Sequence, residues 1–295
     1  MIHILDLKFL DNDLTIAAFL VETSEGPILI ETGPHSTFEQ LSHEIQRVGF
    51  QVEDVKHVFL THIHLDHAGA AWAFAKMGAT IYVHPFGYKH LQNPVKLMES
   101  AKRIYQDQMD RLWGEMHLIP EDRLIQVADQ TAIKVGNTRI VSHHTPGHAV
   151  HHIAWQVDAC VFAGDVAGVK IENGIVVPPC PPPDINVEDW QTSIQKLKDL
   201  NPKEIYLTHF GKITDIETHL NDLEGRLLAW ANWMKPHYEA QTDPKIITPL
   251  FQAYVQKELM ENGVNKEGLA QYEGANPSWM SVAGLLRYWR KRDTK

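Results

Sequence analysis

Over residues 1–212, short runs of apolar residues alternate with helical patterns. Such alternation is typical of a layered α/β domain rather than of a helical bundle or an all-β sandwich. Neighbouring runs, such as the two around Ser24-Glu25-Gly26, are separated by only a few residues, which predicts hairpins and therefore mixed or antiparallel sheets. The predicted strands are Ile2–Leu7, Leu14–Glu22, Pro27–Glu31, Val55–Leu60, Thr80–His84, Ala132–Val135, Thr138–His143, His152–Val157, Cys160–Ala163 and Glu204–Leu207.

Two other parts of the chain have helical periodicity without a strand pattern. Between about residues 87 and 120, apolar side chains recur at steps of three and four and predict one helix of about five turns, inserted into the α/β domain. Residues 213–295 have helical patterns only, with helix starts predicted at Thr214, at Thr248-Pro249 and at Asn276-Pro277. We therefore predict an α/β domain over residues 1–212 and a carboxyl-terminal helical extension over residues 213–295 that packs on it.

The composition excludes several classes of protein. Of the 295 residues, 44% are hydrophobic and 22% charged, which is typical of a globular chain rather than of a disordered or coiled-coil one. The net charge of −10 disfavours a nucleic-acid partner, because affinity for phosphates requires clustered Lys and Arg. The chain has only two cysteines, no signal-peptide pattern and no long apolar run, which predicts a cytoplasmic protein with no membrane partner.

The chain has 18 histidines, and several of them stand with aspartates just after predicted strands. His62 and His64 are two residues apart in an extended segment and so project to the same side, where both can bind one metal ion. Asp66 and His67 follow where the chain turns into a helix and point toward a neighbouring position. Because one metal ion does not comfortably take four ligands from so short a stretch, this segment indicates two metal ions.

Three other strand ends supply further ligands. Thr145-Pro146-Gly147-His148 presents an imidazole on a tight turn, Gly164-Asp165 presents a carboxylate able to bridge two cations, and Thr208-His209 presents another imidazole. The set contains nitrogen and oxygen ligands without thiolate, which suits zinc, iron or manganese. Core packing alone gives no reason to place so many titratable groups beside buried strands, so the pattern favours a metal site.

The motifs T-H-I-H-L-D-H, T-P-G-H, G-D and T-H-F-G, in this order, resemble those of the metallo-β-lactamase superfamily of dinuclear metallohydrolases. The resemblance covers roughly residues 1–212 and implies an αββα sandwich with its site at one edge of the two sheets. It also implies two divalent metal ions per chain, with zinc as the first expectation and iron or manganese as alternatives. The implied ligands are His62, His64 and His148 for one ion, Asp66, His67 and His209 for the other, and Asp165 as the bridge.

Three nearby features bear on the site. Glu31-Thr32-Gly33 stands where many superfamily members have Asp-x-Gly, and we predict that the longer Glu31 still accepts a hydrogen bond from a ligand imidazole. His35 and the proline-rich segment 178–183 are candidates for shaping the substrate cleft. Asp66 is the predicted catalytic residue, since a carboxylate that touches a metal ion and faces its water can accept or relay a proton.

The resemblance implies a hydrolase in which metal-activated water attacks a small ester, thioester or lactone. The carboxyl-terminal helices resemble those of hydroxyacylglutathione hydrolases, and a lactonase or general acyl-ester hydrolase fits equally, because the fold does not decide the substrate. The alternatives are a mononuclear-iron persulfide dioxygenase-like oxidoreductase, a phosphodiesterase of the same fold and a non-catalytic metal-binding module. A small molecule is the expected partner, and the apolar stripe along residues 216–234 can wall the cleft or form a homodimer surface.

Overall fold

The computed structural model describes residues 1–294. It divides into two compact units. The first unit contains Met1–His144 and His151–Ala163, and the second contains Thr145–Val150 and the chain from Gly164 onward. The domain boundary at residue 212 stays a prediction.

The first unit contains strands of two β-sheets. These strands are β1 (Ile2–Asp6), β2 (Ala17–Thr23), β3 (Gly26–Ile30), β4 (His57–Phe59), β5 (Thr80–Val83), β6 (Leu124–Gln126), β7 (Ala132–Val135), β8 (Thr138–His144), β9 (Ile153–Val157) and β10 (Cys160–Phe162). In the first sheet the order is β1-β2-β3-β4-β5-β6, antiparallel from β1 to β3 and parallel from β3 to β6. In the second sheet, each of the strands β7, β8 and β9 pairs with the next one along the chain, and each of these pairs is antiparallel. The predicted mixed and antiparallel pairing is therefore confirmed.

The two sheets of the first unit pack face to face. Successive residues of a strand point to opposite faces, so each strand of the first sheet contributes to two different layers. On the face toward the second sheet, Phe59 meets Trp155 with 5.1 Å between ring centroids, and Phe19 meets Phe162 at 5.2 Å. Trp155 Nε1 also donates to the carbonyl of Leu60 at 2.9 Å, which ties the end of β4 to the second sheet.

Helices cover the other face of the first sheet. They are α1 (Phe38–Arg47), α2 (Leu65–Ala68), α3 (Ala71–Lys76), α4 (Pro85–Gln92), α5 (Val95–Tyr105) and α6 (Met109–Leu112). Leu29 and Val58 of the sheet share a buried core with Phe74 of α3. The prediction of one helix of about five turns within residues 87–120 is wrong, because the segment forms α4, α5 and α6 instead. Pro94 has no amide hydrogen to continue α4, and Gln106 ends α5 with a positive φ of 51°.

The second unit consists of helices and one β-hairpin. Its elements are α7 (Val187–Asp199), β11 (Glu204–Leu207), β12 (Gly211–Ile213), α8 (Ile216–Glu239), α9 (Pro244–Glu261), α10 (Lys266–Ala275) and α11 (Ser278–Asp293). Trp230 of α8 and Phe251 of α9 are buried edge to face, with 4.9 Å between ring centroids. Among residues 1–294, no helix has both the length and the apolar character needed to cross a bilayer.

Two of the carboxyl-terminal helices begin at residues other than those predicted. The carboxylate of Asp215, not Thr214, caps α8 by accepting from the amide of Thr218. Helix α9 begins at Pro244 behind the cap Asp243, so Pro249 lies inside it. In both cases an aspartate, which is a strong N-cap residue, stands just before the first residue of the helix.

Burial of His219 on α8 makes the stability of the fold depend on pH. Its Nε2–H donates to the carbonyl of Ala167 at 2.8 Å, and burial lowers the pKa of the ring from 6.5 to about 4. The unfolded chain then binds a proton that the folded chain excludes, so the free energy of unfolding falls as the pH drops from about 6.5 toward 4. We expect His219→Gln to reduce this loss by about 2 kcal/mol between about pH 7 and pH 5.

Urea unfolding of the two proteins at both pH values measures the effect. Glutamine keeps a donor for Ala167 but does not titrate, so its curve should be flatter than that of the wild type. Parallel curves for wild type and variant would contradict the assignment to His219.

Candidate metal centre

The first unit brings together four of the predicted ligands. After β4 the chain runs extended through His62 and His64, and α2 then places Asp66 and His67 in its short turn. His62 Nε2 and His64 Nδ1 lie 2.9 Å apart, and His67 Nε2 lies 3.6 Å from Asp66 Oδ2. The predicted convergence of His62 and His64 is therefore seen directly.

Backbone hydrogen bonds from both sheets hold the segment that carries these ligands. The carbonyl of Thr61 accepts from the amide of Ile153, at the start of β9, at 2.7 Å. The carbonyl of His67 accepts from the amide of Thr32 at 2.8 Å and from the hydroxyl of Thr32 at 2.9 Å. The ends of strands in both sheets thus fix where the imidazoles stand.

The buried carboxylate of Glu31 orients two of the imidazoles. His67 Nδ1–H donates to Glu31 Oε1 at 2.9 Å. The hydroxyl of Thr61 also donates to Glu31, and its oxygen accepts from His62 Nδ1–H at 3.0 Å. Both rings therefore carry their hydrogen on Nδ1 and direct the lone pair of Nε2 away from Glu31. The predicted hydrogen bond between Glu31 and one of these imidazoles is confirmed.

Replacing Glu31 by glutamine is expected to weaken metal binding about 10- to 100-fold. Glu31 Oε1 accepts from the hydroxyl of Thr61 and from His67 Nδ1–H, and Oε2 accepts from the amide of Thr61. The amide nitrogen of glutamine therefore faces a donor in either orientation, which disturbs the hydrogen bonds that orient the two imidazoles. Competition with a chelator measures the affinity. Glu44→Gln is the matched control, since Glu44 is also buried but its carboxylate binds Arg47. Equal affinities of the two variants would contradict the role of Glu31.

The second unit brings together the other three predicted ligands. Asp165 lies in a short helical turn, Gly164–Ala167, and its two oxygens face different rings. Oδ2 is 3.3 Å from His148 Nε2, and Oδ1 is 3.4 Å from His209 Nε2. All three side chains are buried. This is the arrangement expected of a carboxylate that two cations share.

Close packing positions the His148 turn and the Asp165 turn together. Gly147 has a φ of 134°, and a Cβ added there would lie 2.3 Å from Trp190 Cα on α7, so glycine is required. Trp190 Nε1 in turn donates to the carbonyl of Val166 at 2.7 Å. His148 Nδ1–H donates to the carbonyl of Pro179 at 2.9 Å, which leaves Nε2 directed at Asp165.

Thr61 is the first residue of the T-H-I-H-L-D-H motif, but nothing in the sequence predicts the role of its hydroxyl or that of the carbonyl of Pro179. The proline-rich run 178–183 is the nearest signal, because it predicts a rigid path but not which carbonyl is used. His35 contacts Trp72 and Phe38, at 4.8 and 5.8 Å between ring centroids, and its place in a substrate cleft stays a prediction. His152 is buried and stacks beside His62, with 5.2 Å between ring centroids.

The residues of both units fit divalent metal ions. Neighbouring ligand atoms on a tetrahedral zinc ion, bonded at about 2.0–2.1 Å, stand about 3.3 Å apart. The four distances given above between proposed ligand atoms run from 2.9 to 3.6 Å. Glu31 also offers an oxygen within 4.8 Å of ligand atoms of His62 and His67, but its hydrogen bonds give it an orienting role.

Comparisons with known proteins support the motif assignment. The family model for the metallo-beta-lactamase superfamily matches residues 11–209. The metallo-beta-lactamase fold-containing protein ST1585 of Sulfurisphaera tokodaii is 29% identical over 178 residues, which is 58% of this chain and 67% of that protein. An N-acyl homoserine lactonase of a Bacillus species is 26% identical over 235 residues, which is 70% of this chain and 83% of that enzyme.

Solved structures show the same fold. The crystal structure of ST1585 covers 75% of this chain and 84% of its own, with 25% identity and a TM-score of 0.63. A metallo-beta-lactamase family protein from Thermus thermophilus, TTHA1429, covers 99% of this chain and 94% of its own, with 20% identity and a TM-score of 0.66. The predicted αββα class with carboxyl-terminal helices is confirmed. Because the family match over residues 11–209 spans every predicted ligand, this chain belongs to the metallo-β-lactamase superfamily of metal-dependent hydrolases.

Proposed function

We propose that this chain is a dinuclear metallohydrolase that cleaves a small ester, thioester or lactone. The observation that carries the proposal is Asp165, whose two oxygens lie against Nε2 of His148 and of His209 at 3.3 and 3.4 Å. As the superfamily resemblance implies, His62 and His64 would join His148 on one ion. Asp66 and His67 would join His209 on the other, and Asp165 would bridge the pair.

The residues of this chain would orient the ligands and move the proton. When bound, two divalent ions lower the pKa of water toward neutrality and polarise the acyl oxygen of the substrate. Asp66 is the better placed of the two ligand carboxylates to exchange protons, because its side chain is 22% exposed and that of Asp165 only 5%. It would accept the proton of the attacking water and pass it to the leaving alkoxide or thiolate.

Lactones and related acyl esters are the substrate class with the most support. Several curated relatives that match 70% of this chain are N-acyl homoserine lactonases of Bacillus. The identity of 25–26% does not transfer their substrate, since the fold hosts several reactions. Zinc as the metal, a small-molecule partner and a cytoplasmic location belong to the same proposal and rest on the ligand set and the composition.

Elemental analysis combined with a substrate panel tests the proposed function. We expect about two zinc ions per chain and turnover of a lactone or thioester that His62→Ala abolishes. His57→Ala is the matched control, because His57 lies on β4, outside the proposed ligand set. Its Nδ1 forms a hydrogen bond with the hydroxyl of Tyr82 at 3.0 Å. One iron per chain with oxygen uptake would replace the proposal by a dioxygenase, and turnover of phosphodiesters alone would replace the substrate class. A wild-type chain that takes up no metal would refute it.

A further inference from the structure

Helix α10 holds the loop that leads to Pro179. Val169 and Val177 pair through their backbones at 2.9 and 2.8 Å, which closes the loop between them. The hydroxyl of Tyr272 lies inside this loop, accepting from the amide of Ile171 at 3.1 Å and donating to the carbonyl of Ile175 at 2.6 Å. Burial raises the pKa of Tyr272 to about 12, so the hydroxyl keeps the hydrogen that it donates.

Two buried side chains around the α10–α11 junction hold the peptide groups on both sides of Pro179. Asn276 Nδ2 donates to the carbonyl of Pro178 at 3.3 Å. The amide of Cys180 donates to Ser281 Oγ at 3.3 Å, and the hydroxyl of Ser281 donates to Asn276 Oδ1 at 3.0 Å. The network therefore runs without a break from one peptide group to the other through Asn276 and Ser281.

The peptide between Pro179 and Cys180 connects this network to His148. Its N–H is the group that Ser281 holds, and its C=O is the acceptor for His148 Nδ1–H at 2.9 Å. A trans peptide is planar, and its C=O and N–H point in opposite directions, so fixing the N–H also fixes the C=O. Ser281 therefore fixes the orientation of this peptide, and the peptide carbonyl fixes the orientation of the His148 ring.

Helix α11 packs against the next peptide, between Cys180 and Pro181, only because residue 284 is glycine. A Cβ on Gly284 would lie 2.0 Å from the carbonyl oxygen of Cys180, and no side chain fits in that space. Backbone therefore packs directly against backbone, which leaves the proline-rich loop little freedom to move independently of the helix.

We propose that Ser281 and Asn276 are positioning residues for the metal ligand His148, acting through the peptide between Pro179 and Cys180. The inference rests on the proposed function, which makes His148 a ligand. Through these residues the carboxyl-terminal helices set the affinity of the metal centre without supplying a ligand to it. By fixing Nδ1–H against Pro179, they keep Nε2 of the ring directed at Asp165, 3.3 Å away.

Ser281→Ala removes the acceptor for the amide of Cys180 and tests the proposal. We expect about tenfold weaker zinc binding in chelator competition, at the lower end of the range for residues that orient a ligand. In the metal-free variant, nitrogen NMR of the His148 ring should show exchange between the Nδ1–H and Nε2–H tautomers. The metal-free wild type should show the Nδ1–H tautomer alone. Ser278→Ala is the matched control, since Ser278 is buried one turn earlier and its hydroxyl donates to Glu273. It should keep the wild-type affinity and ring spectrum.

The outcomes separate this proposal from the function on which it rests. Wild-type affinity and tautomer in Ser281→Ala, with weaker binding in His148→Ala, would overturn the positioning role alone. Wild-type zinc affinity in His148→Ala would overturn the proposed function instead. If Ser281→Ala does not fold, Asn276→Asp keeps the acceptor for Ser281 and removes the donor to Pro178. Reduced zinc affinity in that variant supports the proposal, and unchanged affinity refutes it.

Discussion

Replacing Asp165 by alanine is expected to lower turnover about a thousandfold and to release most of the bound metal. Both oxygens of Asp165 face imidazoles of the proposed ligand set, at 3.3 and 3.4 Å, so the change removes a ligand from each of two proposed ions at once. Loss of the charge stabilisation that these ions provide, about 4 kcal/mol, corresponds to about three orders of magnitude in rate. Elemental analysis and initial-rate measurements on the same sample check both parts.

Asp189→Ala controls for the loss of a carboxylate from the same unit. Asp189 is exposed in the first turn of α7, where a carboxylate contributes only about 0.3–1 kcal/mol through the helix dipole. This control should keep its metal and its turnover. Wild-type metal content and rate in Asp165→Ala, with a folded circular dichroism spectrum, would contradict the bridging role.

The strands that the sequence predicts well are those with a clear apolar run between turn residues. Ala132–Val135 and Glu204–Leu207 have the predicted bounds without change. Leu124–Gln126 and Gly211–Ile213 were missed, because three residues are too few to show an alternating pattern. They are strands only because β5 and β11 offer them partners, which is tertiary information.

The sequence predicts that His62 and His64 lie together because a geometric rule applies to them, whereas it does not predict the groups that orient the proposed ligands. Residues two apart on an extended chain share a face, and this brings His62 and His64 together. The contact between Ser281 and Cys180 instead joins positions 101 residues apart and depends on how α11 packs. No sequence pattern near either residue predicts this contact. Orientation of ligands through backbone carbonyls therefore has to be read from the structure.

Replacing Asp66 by alanine is expected to lower kcat about 10²- to 10⁴-fold, the range for loss of a group that transfers a proton. The carboxylate lies 3.6 Å from His67 Nε2 and is 22% exposed, so it can face both an ion and the solvent. Proton transfer stabilises the transition state but not the bound substrate. We therefore expect kcat and kcat/KM to fall together while KM changes little. Steady-state kinetics on the substrate identified by the panel gives both constants.

Asp66→Asn separates proton transfer from metal binding at this position. Asparagine keeps an oxygen that can bind a metal ion but takes up no proton in the accessible pH range, so it should retain more metal than alanine does. Its kcat should nevertheless fall as far, because the proton acceptor is lost in both variants. A kcat that falls only in proportion to the metal lost, in both variants, would assign Asp66 to metal binding alone. A matching rise in KM would count against proton transfer as well, since it would place the lost interaction in the bound substrate.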